Sequence, residues 1–178
     1  APDDSGVFDA GYFCMGMGRL AIVDLESSGL CPVVVDNFVL VFNGEIYNYR
    51  DLKKELEILG HVFKTQSDSE VLLRAYKEWG KECLDKFNFM GAFVISDGET
   101  LFIARDIAGE KPLYFSRNPF KFASEAKAFA FDCEEFSPAH CGFYDIQTRE
   151  LRLQRWWNPP TDTFVGSLEE AVGRLDIL

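Results

Sequence analysis

The sequence has few histidines and no closely spaced pair of cysteines. It contains 2 histidines and 5 cysteines among 178 residues, and no two cysteines form a C-x-x-C pair. Zinc sites in proteins are usually built from such residues at short spacings, so we predict no metal site. The odd number and irregular spacing of the cysteines favour reduced, mostly buried thiols in a cytoplasmic protein. They are Cys14, Cys31, Cys83, Cys133 and Cys141.

Basic residues and long apolar runs are also scarce. The chain carries 18 Lys and Arg against 29 Asp and Glu, a formal net charge of −11. This charge argues against nucleic acid or an anionic membrane as a partner. We find no apolar stretch of about 18 residues, the length that a transmembrane helix needs, and no signal-peptide pattern at the start. Because the chain does not begin with Met, we expect it to be processed, trimmed or incomplete.

The apolar content is sufficient for one folded domain, or for one domain with a short extension. Hydrophobic residues make up 47% of the chain and charged residues 26%, as in soluble globular proteins. The 17 phenylalanines favour a β-rich interior in which aromatic rings pack between sheets.

Hydrophobic periodicity and turn signals predict helices alternating with short strands. Apolar spacings of three and four predict a helix over 48–60, and the S-x-x-E pattern at 67–70 predicts a second helix that ends at Gly80. A helix-like start at 167–170 stops almost immediately. Strands are predicted at 19–25, 38–42, 61–65, 90–96, 100–104, 113–116, 121–123, 142–146 and 151–153. This order of elements indicates the α+β class with antiparallel sheets.

The segment 42–48 is the most informative part of the chain. The apolar run 39–42 is followed by Asn43, Gly44 and Glu45, which would place a side-chain donor, a free backbone N–H and a negative charge at one strand end. Such a cluster suits chemistry on a small amino acid. Taken alone, Asn43-Gly44 is also typical of a turn, Arg19 of a solvated charge, and Asp68 of a helix cap.

Several segments, taken together and in order, carry a family resemblance. They are P-D-D at 2–4, G-R-L-A-I-V-D at 18–24, F-N-G-E-I-Y-N at 42–48, S-D-S-E-V at 67–71, A-R-D and G-E-K-P-L-Y within 104–114, and F-A-S-E-A-K-A at 122–128. The chain resembles the glutaminase domain of class II glutamine amidotransferases, closest to that of glutamine-dependent asparagine synthetase. The resemblance implies the N-terminal-nucleophile hydrolase fold, a four-layer αββα sandwich of two antiparallel sheets. It assigns 1–157 to the glutaminase domain and 158–178 to a linker and the start of a synthetase domain.

The resemblance also implies a site for free L-glutamine. In it, the guanidinium of Arg19 binds the α-carboxylate, and Glu45 and Asp68 hold the α-ammonium. The side chain of Asn43 and the backbone N–H of Gly44 form the oxyanion hole, and both also bind substrate. No cofactor or metal is implied for this domain, whereas ATP and Mg are expected for the synthetase domain.

Other charged residues are predicted to be structural. We expect Arg105 and Asp106 to form a buried ion pair that supports a hairpin, and Ser124, Glu125 and Lys127 to have structural roles. The two histidines, His61 and His140, have no partner in the sequence and are predicted to be surface or turn residues.

The chain departs from the family pattern at the nucleophile. In the family a cysteine at the mature N-terminus attacks the amide, and its own α-amine acts as the base. Residue 1 here is Ala, and 1–4 correspond to a segment further inside the family domain. We therefore expect the nucleophile and the first strands to lie outside this chain, and the chain to be inactive in hydrolysis. At 89–93, F-M-G-A-F exchanges a glycine and a bulky residue relative to the family order, which should perturb packing.

Three functions remain open from the sequence. The first is a glutaminase domain of an asparagine synthetase-like enzyme, which forms a cysteinyl thioester and passes ammonia to a synthetase domain for ATP-dependent amidation of an acid such as aspartate. The second is a structural domain without a nucleophile, and the third is a domain that binds glutamine without hydrolysing it. The intact set of five ligand positions favours the first. The expected partners are L-glutamine and the synthetase domain, and a homodimer is left open.

Overall fold

The computed structural model describes residues 4–19, 32–161 and 165–175, with the backbone alone for Asp4, Arg19, Arg174 and Leu175. The strands are β1 (Asp4–Asp9), β2 (Cys14–Arg19), β3 (Val33–Val35), β4 (Phe38–Ile46), β5 (Phe89–Ser96), β6 (Thr100–Arg105), β7 (Tyr114–Arg117), β8 (Phe120–Ala123), β9 (Glu134–Glu135), β10 (His140–Asp145) and β11 (Leu151–Arg155). The α-helices are α1 (Tyr49–Ile58), α2 (Asp68–Trp79) and α3 (Leu168–Leu175), and 3₁₀ helices occupy Gly80–Lys86 and Ala126–Ala128.

A six-stranded antiparallel sheet forms the centre of the molecule, in the order β11-β10-β6-β5-β4-β3. Successive side chains of a strand point to opposite faces. In β4, Leu40 and Phe42 pack in the cluster that includes the helices, while Val39 and Val41 pack in a separate cluster. Because both faces are covered, the inner strands are apolar at nearly every position rather than at alternate ones.

Helices α1 and α2 cover one face of this sheet. Leu52 and Leu56 are the buried residues of α1, and α2 contributes a longer buried row that includes Leu72. Tyr76 of α2 stacks on Phe102 of β6 with ring centroids 4.7 Å apart. These contacts give the helices a fixed position against the sheet, because buried aromatic and aliphatic side chains dominate packing energy.

A second layer of strands covers the other face. It consists of the β1–β2 hairpin and a three-stranded sheet in the order β8-β7-β9. Met15 of β2, Phe115 of β7 and Phe136 pack in one buried cluster with Val41 and Val94 of the central sheet. The predicted α+β sandwich of antiparallel sheets is confirmed, with a helix layer and two strand layers seen in the described residues.

Most predicted elements match the structure, and several differ. The strand that begins at Phe38 continues to Ile46, so Asn43, Gly44 and Glu45 lie within β4 rather than beyond its end. Residues 61–65 form no strand, because the backbone N–H groups of Lys64 and Thr65 donate to a side chain instead of to a neighbouring strand. The third helix does not stop at once but runs over Leu168–Leu175.

The predicted strand 19–25 falls mainly on residues 20–31, which lie outside the described residues. Arg19 ends β2 rather than beginning a strand, and the β1–β2 hairpin was not predicted. No helix in the described part of the chain is long and apolar enough to cross a membrane.

The cysteines and histidines are only partly as predicted. All four described cysteines are free, but burial holds for Cys83 and Cys141 only, since Cys133 is half-buried and Cys14 is exposed. Cys31 lies outside the described residues. Both histidines have partners, because His61 contacts Glu78 at 2.8 Å and His140 contacts the carbonyl of Pro138 at 2.8 Å.

Candidate functional site

A cavity of about 520 Å³ adjoins the C-terminal half of β4. Asn43, Gly44 and Glu45 line it, together with Asp68 at the start of α2. Because side chains alternate along a strand, Asn43 and Glu45 project to the same face as Val41, toward the second strand layer. The structure therefore brings four of the five predicted ligand positions into one cavity.

The backbone at Gly44 approaches the neighbouring strand very closely. Gly44 pairs with Gly91 of β5 in the strand register, and its φ is +156°. A Cβ built on Gly44 would lie 2.1 Å from the carbonyl oxygen of Met90. Only glycine fits this position, which lines the cavity between Asn43 and Glu45 in the sequence.

Asp68 is the first residue of α2 and is buried, with 7% of its surface exposed. Its Oδ2 accepts a hydrogen bond from the backbone N–H of Ile46 at 3.1 Å, which ties the helix start to the end of β4. Burial raises the pKa of the Asp68 carboxyl above its usual range; the charge of Glu45 acts in the same direction, and hydrogen bonds from Ile46 and Ser69 oppose it.

No cation within the described residues forms an ion pair with either Asp68 or Glu45. Two neighbouring carboxylates in one cavity favour a ligand that brings its own positive charge. An ammonium group, with three donors and one charge, satisfies this requirement.

Glu70 holds the loop that leads into Asp68, a role the sequence did not predict. Its carboxylate accepts hydrogen bonds from the backbone N–H groups of Lys64 and Thr65 and from Oγ1 of Thr65, and it forms an ion pair with Arg74 at 2.7 Å. Burial alone would raise the pKa of Glu70, but these donors outweigh burial and lower it. The spacing of Glu70 and Arg74 by four residues along one helix was the available signal for this pair.

Arg105 and Asp106 are buried, but they do not form the predicted ion pair with each other. Each instead binds the segment 109–111. Arg105 donates to the carbonyls of Lys111 and Gly109 at 2.7 Å each and pairs with Glu135 at 2.8 Å. The carboxylate of Asp106 accepts from the backbone N–H groups of Gly91, Gly109, Glu110 and Lys111. Arg105 therefore binds carbonyl groups of this segment and Asp106 binds its N–H groups, so the two charges act on one segment without pairing with each other.

Arg19 is the one predicted ligand position that is not among the described residues lining the cavity. Its backbone ends β2, where it pairs with Asp4, and its side chain lies outside the described residues. The three residues before it, Gly16, Met17 and Gly18, line the cavity. Ser124, predicted to be structural, lines it as well, as does Lys111.

The chain is similar to known proteins. Residues 1–151 match the glutamine amidotransferase domain family. Asparagine synthetase [glutamine-hydrolyzing] 3 of Bacillus subtilis (strain 168) is 42% identical over 134 residues, which cover 71% of this chain and 22% of that protein. Asparagine synthetase [glutamine-hydrolyzing] 2 of Oryza sativa subsp. japonica is 40% identical over 169 residues, covering 89% of this chain and 27% of that protein.

Solved structures show the same fold. A structure of the allosteric regulatory enzyme of purine biosynthesis superposes with a TM-score of 0.68 at 25% identity, covering 81% of this chain and 35% of that one. Glutamine phosphoribosylpyrophosphate amidotransferase from B. subtilis gives a TM-score of 0.67 at 24% identity, with the same coverage. The chain spans about a quarter of the length of the asparagine synthetases it matches. It belongs to the glutamine amidotransferase domain family.

Proposed function

We propose that the cavity binds free L-glutamine, and that the complete protein hydrolyses it to supply ammonia for amidation of an acid such as aspartate. The observation that carries the proposal is the pair of carboxylates, Glu45 and Asp68, in one cavity with Asn43 and Gly44. The raised pKa of Asp68, caused first by burial, indicates an unfavourable charge that a bound ammonium would relieve.

The order of groups along β4 matches the order of groups in glutamine. Glu45, with Asp68 bonded to the N–H of Ile46, would hold the α-ammonium at the C-terminal end of the strand. Asn43 and the N–H of Gly44 would bind the γ-carbonyl oxygen, about 7 Å or less back along the strand. Arg19 would bind the α-carboxylate bidentately. All three contacts together would select an amino acid with a short amide side chain.

The oxyanion hole is the part of this site that would accelerate a reaction. When a thiolate attacks the γ-carbon, the carbonyl oxygen gains negative charge, which the side-chain NH₂ of Asn43 and the N–H of Gly44 can stabilise. Removing one such donor typically costs roughly 3–4 kcal/mol of transition-state stabilisation. Ammonia then leaves, and water hydrolyses the resulting thioester to glutamate.

The nucleophile in this proposal is an N-terminal cysteine of the complete protein. None of the four cysteines in the described part of the chain lines the cavity. Those four also carry acylated nitrogens, so they lack the free α-amine that serves as the base. In the proposal, ATP and Mg act in the synthetase domain, where ATP activates the acid that receives the ammonia.

The same observation about the cysteines favours a second candidate, a domain that binds glutamine without hydrolysing it. The two candidates share the glutamine site and differ only in the nucleophile. A purely structural domain is less consistent with the cavity, because carboxylates that have no ion-pair partner among the described residues would then have no compensating ligand.

Two experiments test the proposal. Isothermal titration calorimetry of the purified protein should show saturable binding of L-glutamine, weaker binding of D-glutamine, and loss of L-glutamine binding in Asp68→Ala; no binding of L-glutamine would reject the site. Intact mass and N-terminal sequencing of the protein from its native source then separate the candidates. An N-terminal cysteine supports hydrolysis, and its absence supports the binding domain.

A further inference from the structure

Lys111 lies in the wall of the cavity and belongs to the G-E-K-P-L-Y segment, which the sequence predicted to be structural rather than ligand-binding. It is half-buried, and its ammonium forms no hydrogen bond or ion pair with any residue in the described ranges. These residues include Glu45 and Asp68, the carboxylates of the cavity. A charged side chain that is partly removed from water without a partner favours a ligand of opposite charge.

The backbone of Lys111 is fixed from both sides by buried charged residues. Its carbonyl accepts a hydrogen bond from Nε of Arg105 at 2.7 Å, and its N–H donates to Oδ2 of Asp106 at 3.4 Å. Arg105 and Asp106 expose 3% and 1% of their surfaces. Two buried charged side chains that hold one short segment make its position rigid, as required of a residue that orients a ligand.

The same contacts locate Lys111 at the amide end of the proposed glutamine site. Oδ2 of Asp106 also accepts the N–H of Gly91 at 3.0 Å, so one oxygen joins Lys111 to Gly91. Gly91 pairs with Gly44, whose N–H is proposed to contact the γ-carbonyl oxygen. The ammonium-binding end, by contrast, lies at Ile46 and Asp68.

We propose that the ammonium of Lys111 binds negative charge at the amide end of the cavity, beside Asn43 and Gly44. This inference rests on the proposed function, because it presumes that glutamine lies along β4. Lys111 then holds the γ-carboxylate of L-glutamate, the product, more strongly than it holds the neutral γ-amide of L-glutamine. It sets the ratio between the two affinities and is a specificity-determining residue rather than part of the nucleophilic machinery.

The test measures dissociation constants for L-glutamate and L-glutamine in the unmodified protein and in Lys111→Met, Lys111→Gln and Lys111→Arg. A hydrogen bond to a charged group contributes enough for roughly a tenfold change in affinity or more. We expect both neutral variants to lose about tenfold or more in L-glutamate affinity while L-glutamine affinity changes by less than about threefold. Lys111→Arg should restore L-glutamate binding. The control is Lys121→Met, because Lys121 is exposed on β8 and does not line the cavity.

Each other result overturns a defined part of the argument. If the protein binds L-glutamine but not L-glutamate, or if the neutral variants change neither affinity, Lys111 does not act at the amide end and the proposed function stands. If both affinities fall equally, Lys111 contacts the α-carboxylate, a group common to the two ligands, and the inference is wrong. If neither amino acid binds the unmodified protein, the proposed function itself fails. Thermal unfolding curves show whether each variant is folded. If one of the two neutral variants does not fold, the other still provides the comparison.

Discussion

Gly44 and Gly91 face each other across β4 and β5 with no room for a side chain on either. A Cβ on Gly44 would lie 2.5 Å from Cα of Gly91, and a Cβ on Gly91 would lie 2.6 Å from the ring of Phe42. The glycine of F-M-G-A-F at 89–93 therefore lies where a side chain would clash, and the predicted effect of this order relative to the family stays a prediction. The missing side chain at Gly91 provides the space that the ring of Phe42 and the backbone of Gly44 occupy.

Substitution of either glycine tests this close approach. In Gly44→Ala the nearest atoms are backbone atoms of Met90 and Gly91, which cannot move aside without breaking strand pairing. We expect a loss of about 3 kcal/mol or more in the free energy of unfolding, combining overpacking with backbone strain. Gly91→Ala, which first meets an aromatic ring, should lose about 1–3 kcal/mol.

Chemical denaturation of the two variants measures these losses. The matched control is Gly173→Ala in α3, where a Cβ meets nothing within 4 Å and alanine favours the helix. Its stability should equal or slightly exceed that of the unmodified protein. Equal stability of Gly44→Ala and the control would show that the two strands are not as close as described.

Asp68→Asn should weaken ligand binding without weakening the fold. Burial raises the pKa of Asp68 in the folded protein, so the folded state binds a proton more tightly than the unfolded chain does. The ionised group therefore opposes folding at neutral pH, and this unfavourable contribution fades as the pH falls through the folded-state pKa. Asparagine is neutral and can still accept the N–H of Ile46, so the variant should be as stable as the unmodified protein or more stable at pH 7.

Calorimetry and thermal unfolding, run on the same Asp68→Asn sample, check both halves of this prediction. We expect L-glutamine affinity to fall by roughly tenfold or more, because a charged partner of the ammonium is lost. Asp51→Asn, at an exposed site beside Lys54, is the control for loss of one charge on a helix. A clear fall in the melting temperature of Asp68→Asn, absent from Asp51→Asn, would contradict the assignment of Asp68 as a strained ligand carboxylate.

Substitution of Glu70, unlike that of Asp68, should reduce the stability of the fold. Glu70→Ala leaves Arg74 buried without its partner and leaves the N–H groups of Lys64 and Thr65 without an acceptor. Breaking a buried pair in this way typically costs about 3–5 kcal/mol. The pKa of Glu70 is lowered in the folded protein, so its stabilising contribution is present above its usual pKa and is lost as the pH falls through the folded-state value.

A double-mutant cycle separates the ion pair from the loop contacts. Arg74→Met in the Glu70→Ala background should recover part of the lost stability, because no unpaired buried charge remains. Denaturant titrations at pH 7 and pH 4 give both the coupling and its pH dependence. Purely additive losses at pH 7 would show that Arg74 gains nothing from Glu70.

The sequence predicted elements well where local signals determine them. The helix predicted over 48–60 is observed as α1, and the strands predicted at 90–96 and 100–104 are observed as β5 and β6. In the turn between these strands, Oδ1 of Asp97 accepts the N–H groups of Glu99 and Thr100. Each of these signals acts within a few residues, so no tertiary information was needed.

Prediction was weaker where distant residues decide the outcome. The S-x-x-E pattern stands at the start of both α2 and α3, and of these two only Ser167 and Glu170 form the reciprocal capping box. Ser67 does cap α2, through the N–H of Ser69, but Glu70 turns instead to the loop before it and to Arg74. The same motif therefore forms a reciprocal capping box at α3 but not at α2. The tertiary contacts of Glu70 explain this difference.

The candidate site was also predicted only in part, because distant residues determine its geometry. The resemblance assigned Asn43, Gly44, Glu45 and Asp68, and the structure places these four in one cavity. Their place within a strand, rather than after it, depends on β5 lying opposite, which the sequence of β4 alone cannot show. The place of Lys111 in the cavity wall was not predicted, because it depends on Asp106, which also contacts Gly91 on another strand.

The proposed contact between Arg19 and the α-carboxylate can be tested with a ligand that lacks this carboxylate. The backbone of Arg19 follows Gly16, Met17 and Gly18 in the cavity wall, and the resemblance assigns its guanidinium to the α-carboxylate of glutamine. Arg19→Ala should reduce L-glutamine affinity by roughly a hundredfold, since a bidentate charged contact is lost. L-Glutaminol has a hydroxymethyl group in place of the α-carboxylate, so it should bind the unmodified protein weakly and Arg19→Ala equally weakly. Arg19→Lys should recover only part of the L-glutamine affinity, because an ammonium cannot form the bidentate contact. A similar loss for L-glutamine and L-glutaminol in Arg19→Ala would instead mean that Arg19 supports the fold of the cavity wall and does not bind the carboxylate.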